Sequence, residues 1–321
     1  MPLTFKDIDF TVEVPDIPAT TPVIAHTAPC TRDRDDTARA IAEVLQIDLK
    51  GTAQVPHGYA VGSDRGQVEV FSASGAVRAR NAERLAAYPD ERRTWGDVER
   101  GDDGTFRLGD ELARHLTGHG RELLHRVGLG DEPSGVDVSL GQWAQLNEDG
   151  KEVDSGTGRA TVRLSYAAEG LALIGPGAKT NLHFDPSDDG RGVALARMFH
   201  VHRGVAASGE VATQSLDEAF SGLLAQSWSR HGIREGEGRI TITAATFGLL
   251  ALPADVVQTF AAPALMVEGE ISGVEVGKDE TVTVRFGQYL PLAHPKALAE
   301  AGYGGGRLEP GTVVRGRARG Q

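Results

Sequence analysis

Cysteine is almost missing: Cys30 is the only one in 321 residues, so no internal disulfide can form and no Cys-based metal cluster can be built. Long apolar runs are missing too. No window approaches the roughly 18 consecutive apolar residues of a membrane-spanning helix. The N-terminal segment also lacks a basic region followed by an apolar stretch. The chain as it stands is expected to be cytoplasmic, unless a signal peptide or anchor was removed. Positive charge is in deficit as well. A formal net charge of −12 disfavours nucleic acid and anionic membranes, whose phosphates are held by clustered cations.

Familiar catalytic signatures are equally scarce. There is no G-x-S-x-G nucleophile elbow, no dinucleotide fingerprint and no context for a nucleophilic cysteine. No cofactor and no metal site is expected. Aromatics are few, and Trp95, Trp143 and Trp228 are scattered, as core or edge anchors would be.

What is present is ordinary for a folded protein: 40% hydrophobic and 24% charged residues. The 41 glycines favour a chain with many turns. The basic residues are mostly Arg, which reads as the codon bias of a GC-rich genome and carries no functional signal by itself. The basic run Arg315, Arg317 and Arg319 lies in a Gly-rich terminus and is expected to fray.

Order along the chain points to five segments. Residues 1–30 form an extended entry, since Pro15, Pro18, Pro22 and Pro29 block helix while Phe10, Val12 and Val14 alternate. Residues 31–107 hold a first helix, with Ala38, Ile41, Val44 and Leu45 on one face. Strands near Tyr59–Val61, Val68–Phe71 and Ala76–Ala79 follow, then a polar linker. Residues 108–208 repeat the order with a helix striped by Leu108, Leu112, Leu116, Leu123 and Val127. Its strands fall at Val136–Leu146, Ala160–Ala168, Leu171–Phe184 (broken at Gly175-Pro-Gly177) and Val193–Arg203. Residues 209–293 form a third unit, opened by a capping box of Ser215 and Glu218. Its strands are Ile240–Leu250, Ala264–Ile271 and Thr281–Gln288. Residues 294–321 read as a flexible tail.

Tight polar turns between consecutive strands make the sheets antiparallel, and each preceding helix covers one face. The fold class is therefore α+β, built of repeated helix-plus-antiparallel-meander units with curved sheets.

The stretch Glu169-Gly-Leu-Ala-Leu-Ile-Gly-Pro-Gly-Ala-Lys179, followed by an alternating strand, an Asp/Gly turn and a return strand, resembles bacterial PepSY-like and YycI/YycH-like repeat proteins. Segments Val68–Val77 and Leu249–Gly273 look similar to other parts of such proteins. The resemblance implies a small curved antiparallel sheet wrapped on a helix, in a binding or regulatory role. It carries over no catalytic residues, and the chain departs from such families in showing no membrane anchor.

Four local motifs invite chemistry. Gly175-Pro-Gly177-Ala178-Lys179-Thr180 suggests a phosphate loop, but Ala178 and Leu173 stand where glycines are needed, and a strand follows instead of a helix. Asp185-Pro-Ser187-Asp-Asp189-Gly190 opens like a calcium loop, yet Ala196 occupies the place of the closing Glu. His115 and His119 stand one helical turn apart, as zinc ligands can, but Leu116 follows where a metalloprotease carries Glu.

The fourth motif pairs His183 with Asp185 and His200 with His202, each pair on one face of its strand by alternation. A hairpin centred near Asp188-Asp189 would set His183 opposite Ala194 and His200 opposite Gly177. That separates the pairs by roughly 20 Å.

Two function classes remain open. The first is a non-enzymatic binding protein whose concave sheet faces take a peptide, a small apolar ligand or a protein partner. The second is an enzyme of bacterial specialised metabolism, a cyclase, isomerase or hydrolase enclosing a hydrophobic substrate. Its acid–base set would be His183, Asp185, His200 and His202, with Tyr166 as a proton donor.

Overall fold

The computed structural model describes residues 8–28, 33–87, 95–102, 104–186, 192–221, 238–275 and 281–303. The chain opens with β1 (Ile8–Phe10) and β2 (Thr20–His26), then α1 (Asp33–Val44). A four-strand meander follows: β3 (Gly51–Val55), β4 (Gly58–Ser63), β5 (Gly66–Phe71) and β6 (Val77–Asn81). The expected linker holds the short α2 (Ala82–Ala86), β7 (Val98–Arg100) and β8 (Phe106–Leu108).

Next come α3 (Asp110–Arg126), β9 (Gly135–Leu146), β10 (Glu152–Ser165), β11 (Ala167–Ala168), β12 (Leu171–Ile174), β13 (Lys179–Pro186), β14 (Val193–Val201) and β15 (Val205–Ala212). Residues 216–221 are helical (α4). They start from Ser215 and Glu218 bonded reciprocally, as the capping box requires. The C-terminal part holds β16 (Arg239–Leu250), β17 (Phe260–Ala261), β18 (Pro263–Glu275), β19 (Thr281–Pro291) and α5 (Pro295–Glu300).

The centre of the molecule is an eight-stranded sheet in the order β3-β4-β5-β6-β14-β13-β10-β9. Every neighbour pair in it is antiparallel. Helix α1 lies on β5 and β6, and α3 on β9 and β10. One apolar layer joins them: Ile41 and Leu45 of α1, and Leu116 and Leu123 of α3, meet Val68, Ala79, Met198, Leu182 and Val162 from successive strands. The two helices thus cover the same face. Gly120 lets α3 approach closely, since a Cβ there would sit 3.0 Å from Cδ1 of Leu182.

The chain is mixed α and β, mostly strand, with curved antiparallel sheets. A six-stranded sheet runs β11-β12-β16-β18-β19, with β1 also on β16. Its β1 and β12 pair with β16 in parallel, a departure from the expectation of purely antiparallel neighbours. A three-stranded sheet is ordered β15-β2-β17.

The break at Gly175-Pro-Gly177 has a clear physical origin. It carries the chain from the six-stranded to the eight-stranded sheet, and Gly177 passes so near the Leu252 carbonyl that a Cβ would lie 1.8 Å from its oxygen. Lys179 then starts a strand, not a helix, so no dipole faces this bend.

Part of the expected tail is folded. Residues 295–300 form α5, His294 caps it through Nδ1, and Leu298 and Tyr303 pack with Phe260 and Val211. Residues 304–321, with the Arg315–Arg319 run, lie outside the described residues.

Candidate functional site

Alternation in the central sheet sends one set of side chains to the helices and the other set away from them. Strand β13 shows this plainly. Thr180, Leu182, Phe184 and Pro186 are buried, while Lys179, Asn181, His183 and Asp185 are half-buried on the other side. The expected His183–Asp185 pair is therefore on the face without helices. His200 pairs across with Thr180 and is buried on the helix face.

The hairpin register differs from the sequence expectation. His183 lies opposite Arg197, not Ala194, and His200 opposite Thr180, not Gly177. Two causes add together. The hairpin closes at Pro186 and Val193, further along than expected, and a β-bulge beside His183 inserts one more residue. Along the strand the two histidines are only three positions apart, roughly 10 Å. The sheet itself separates them.

On the helix side, Tyr166, Thr180, His200 and His202 gather. The Tyr166 hydroxyl lies 2.7 Å from Oγ1 of Thr180, which lies 2.7 Å from Nδ1 of His200. The Tyr166 ring stacks on His202 at 4.4 Å, and Nδ1 of His202 is 2.9 Å from a carboxylate oxygen of Asp131. Burial pushes the Tyr166 phenol above its ordinary range, against the opposing Thr180 hydrogen bond. With Tyr166 and His200 each about 1% exposed, this chain of hydrogen bonds sits inside the core.

The other face carries ordered rows of polar side chains. Pairing across the strands runs Gln67, Arg80, Arg197, His183, Thr161, Ser139. A second row runs Glu69, Arg78, Phe199, Asn181, Arg163, Asp137. At one end this face is closed by the loop after β16, where Phe71, Ala76, Val201 and Ala254 cluster and Ser74 bonds the Ala254 carbonyl at 2.7 Å. The rest is open.

Several charges there are balanced. Arg78 is bonded to Glu69, which also meets His57 at 3.2 Å. Burial alone would raise the Glu69 carboxyl, but Arg78 and His57 hold it below its usual range. Arg159 meets Asp185 at 2.9 Å, and Arg163 meets Asp137 at 2.8 Å.

Arg80 and Arg197 are different. They stand directly opposite each other on β6 and β14, both exposed, and neither has an acidic partner among the described residues. Like charges directly opposed across strands cost stability. Beside Arg197, His183 lies with Nδ1 at 3.1 Å from the Thr161 hydroxyl. Burial, then the charges of Arg197, Arg159 and Arg163, push its pKa down to about 4. At neutral pH the imidazole is uncharged, because a further cation there would be repelled.

The remaining sequence candidates are placed as follows. His115 and His119 stack at 6.4 Å, and the His119 ring meets Phe184 edge-on; no group of three metal-binding side chains occurs among the described residues. Ser187 to Gly190 of the calcium-like loop fall outside the described residues, as does Trp228. Trp95 is buried and donates to the Gly158 carbonyl at 2.9 Å, while Trp143 covers Gly156. Among the described residues, no helix is long and apolar enough to cross a membrane.

Sequence reasoning missed the arginine rows. The available signal was Arg78-x-Arg80 in an alternating strand, which places two cations on one face. That Arg197 stands against them follows only from the β6–β14 pairing, which joins distant parts of the chain.

No protein-family model and no curated protein matches this chain. Among solved structures, it is similar to an uncharacterised protein from Eubacterium rectale ATCC 33656, at 10% identity and a TM-score of 0.48, over 86% of this chain and 84% of that one. A likeness this distant carries no argument about function.

Proposed function

We propose that this is a non-enzymatic binding protein that docks an acidic segment of a partner protein on the helix-free face of the eight-stranded sheet. The observation that carries the reading is the opposed pair Arg80 and Arg197. Two cations held side by side, with no acid against them among the described residues, cost folding free energy, and a complementary anion on a partner removes that cost. The pair lies in a row of hydrogen-bonding side chains spanning six strands, wide enough for an extended segment. The chain as a whole carries −12, so this local cationic strip selects where an acidic partner lands.

The same reading treats α1 to β6 and α3 to β14 as two copies of one PepSY-like unit. Support for it lies in the shared order of one helix then four strands of the central sheet, joined edge to edge by β6 and β14.

The enzyme alternative has less support. Its five candidates divide between two faces, with His183 and Asp185 on one and Tyr166, His200 and His202 on the other. A small apolar ligand is likewise disfavoured, since the open face is polar.

The test is fluorescence anisotropy with a labelled 15-residue polyglutamate. We expect saturable binding that weakens steeply with salt and is lost in Arg80→Glu/Arg197→Glu. Binding that the double charge reversal leaves unchanged would falsify the docking surface.

A further inference from the structure

We infer that the group gripped by Arg80 and Arg197 is a phosphoryl group carried on the partner, an inference that rests on the docking role proposed for this face. The argument is one of donor geometry and charge. Directly opposed residues on antiparallel strands have Cβ atoms about 4.5–5.5 Å apart, so both guanidinium groups rise from the same patch. Each guanidinium is a planar fork that matches two oxygens. A carboxylate has two oxygens and one charge, and one fork saturates it. A phosphate monoester has three terminal oxygens and about −1.5 to −2 charges, which suits two forks and balances two cations.

The neighbours favour the same anion. His183 flanks Arg197 on β13, and Gln67 flanks Arg80 on β5. Gln67 is already bonded to Glu69, and the Glu69 carboxylate is committed to Arg78 and His57. That acid therefore does not neutralise the opposed pair. On the other flank, Asp185 is committed to Arg159 and Asp137 to Arg163. Among the described residues, Arg80 and Arg197 are the arginines of the face that these ion pairs leave over, with Lys179 as a further unpaired cation at the near end of β13.

His183 supplies an internal reporter. It is faced by Arg197 from β14, by Arg159, Arg163 and Thr161 from β10, and shares its own strand face with Asp185. A bound dianion beside Arg197 offsets the cationic field and favours the imidazolium, so its titration midpoint rises from about 4. A carboxylate offsets it less.

The experiment compares two peptides by calorimetry: pentaglutamate, and the same peptide with phosphoserine at its centre. We expect the phosphoserine peptide to bind about tenfold tighter or better, a step that corresponds to one charge-assisted bidentate contact. Arg80→Lys keeps the charge and loses the fork, so it should retain pentaglutamate binding and lose the preference. Proton NMR of the full chain should show the His183 midpoint rising further with the phosphoserine peptide than with pentaglutamate. Equal affinities for the two peptides would overturn the phosphoryl assignment while leaving acidic docking intact. If neither peptide binds, the docking role falls and this inference falls with it. Thermal melts of each variant establish that it is folded, which exposed arginines on a sheet surface allow.

Discussion

At the scale of single residues, Arg80 and Arg197 set function against stability. Cross-strand pairs contribute roughly 0.2–1 kcal/mol, with like charges on the unfavourable side. Arg197→Gln is thus expected to hold or raise stability by a few tenths of a kcal/mol in urea unfolding, while weakening polyglutamate binding. A core polar residue behaves in the opposite way. Thr180 is fully buried and joins Tyr166 to His200, so Thr180→Val removes both contacts of its hydroxyl. The expected cost is about 1–3 kcal/mol, read as a lower urea midpoint with an unchanged slope.

These residues also show where sequence reading ends. Alternation correctly placed His183 and Asp185 on one strand face. It could not reveal that His200 points to the other side, because that depends on a one-residue bulge beside His183. The reading of arginine as mere codon usage concealed the open face. Only the pairing of β6 with β14 turns two unremarkable arginines into a site.

At the scale of elements, strong periodicity was legible and weak periodicity was not. The stripes of α1 and α3 and the alternation in β13 all follow from burial of one face. Strand β3 was missed because nearly every residue in Gly51–Val55 is exposed, so it carries no alternation to read. Strand β15 was missed because Val205–Ala212 is mostly small and exposed residues. Helix α5 hid behind Pro295, which sits at its first turn, where the missing N–H is harmless.

The packing between α3 and the sheet yields a direct test. Leu182 is fully buried beneath Gly120 at the centre of the layer shared by α1 and α3. Leu182→Ala leaves a cavity there, with an expected loss of about 2–5 kcal/mol. Calorimetric melting checks it. A loss below roughly 1 kcal/mol would mean that the layer is not packed as described.

At the scale of the whole molecule, Arg203 ties the central sheet to the loop that closes one end of its open face. Its guanidinium donates to the carbonyls of Leu252, Pro253 and Val256, each at 2.9 Å, and burial lowers its pKa to about 10, so it stays charged at neutral pH. Arg203→Met is expected to lower hydrogen-exchange protection first in residues 250–262, ahead of the α1–α3 layer.

Acid should weaken the molecule through two half-buried histidines. His26 and His183 each have a folded pKa of about 4, His26 through burial and then the charge of Arg203. Both lie below the ordinary value of about 6.5. The unfolded chain therefore binds more protons between these values. The stability contribution is complete above pH 6.5 and is lost as pH falls toward 4. His26→Phe should flatten part of that slope in urea titrations at several pH values.

The central claim is that the partner meets the open face of the eight-stranded sheet. Amide and arginine side-chain NMR shifts, recorded as polyglutamate is titrated into the full chain, test it most directly. The account requires the largest changes at Arg80, Arg197, His183 and Arg163, with the helix-side cluster of Tyr166 and His202 unmoved. Changes centred instead on α1, α3 or that cluster would contradict it.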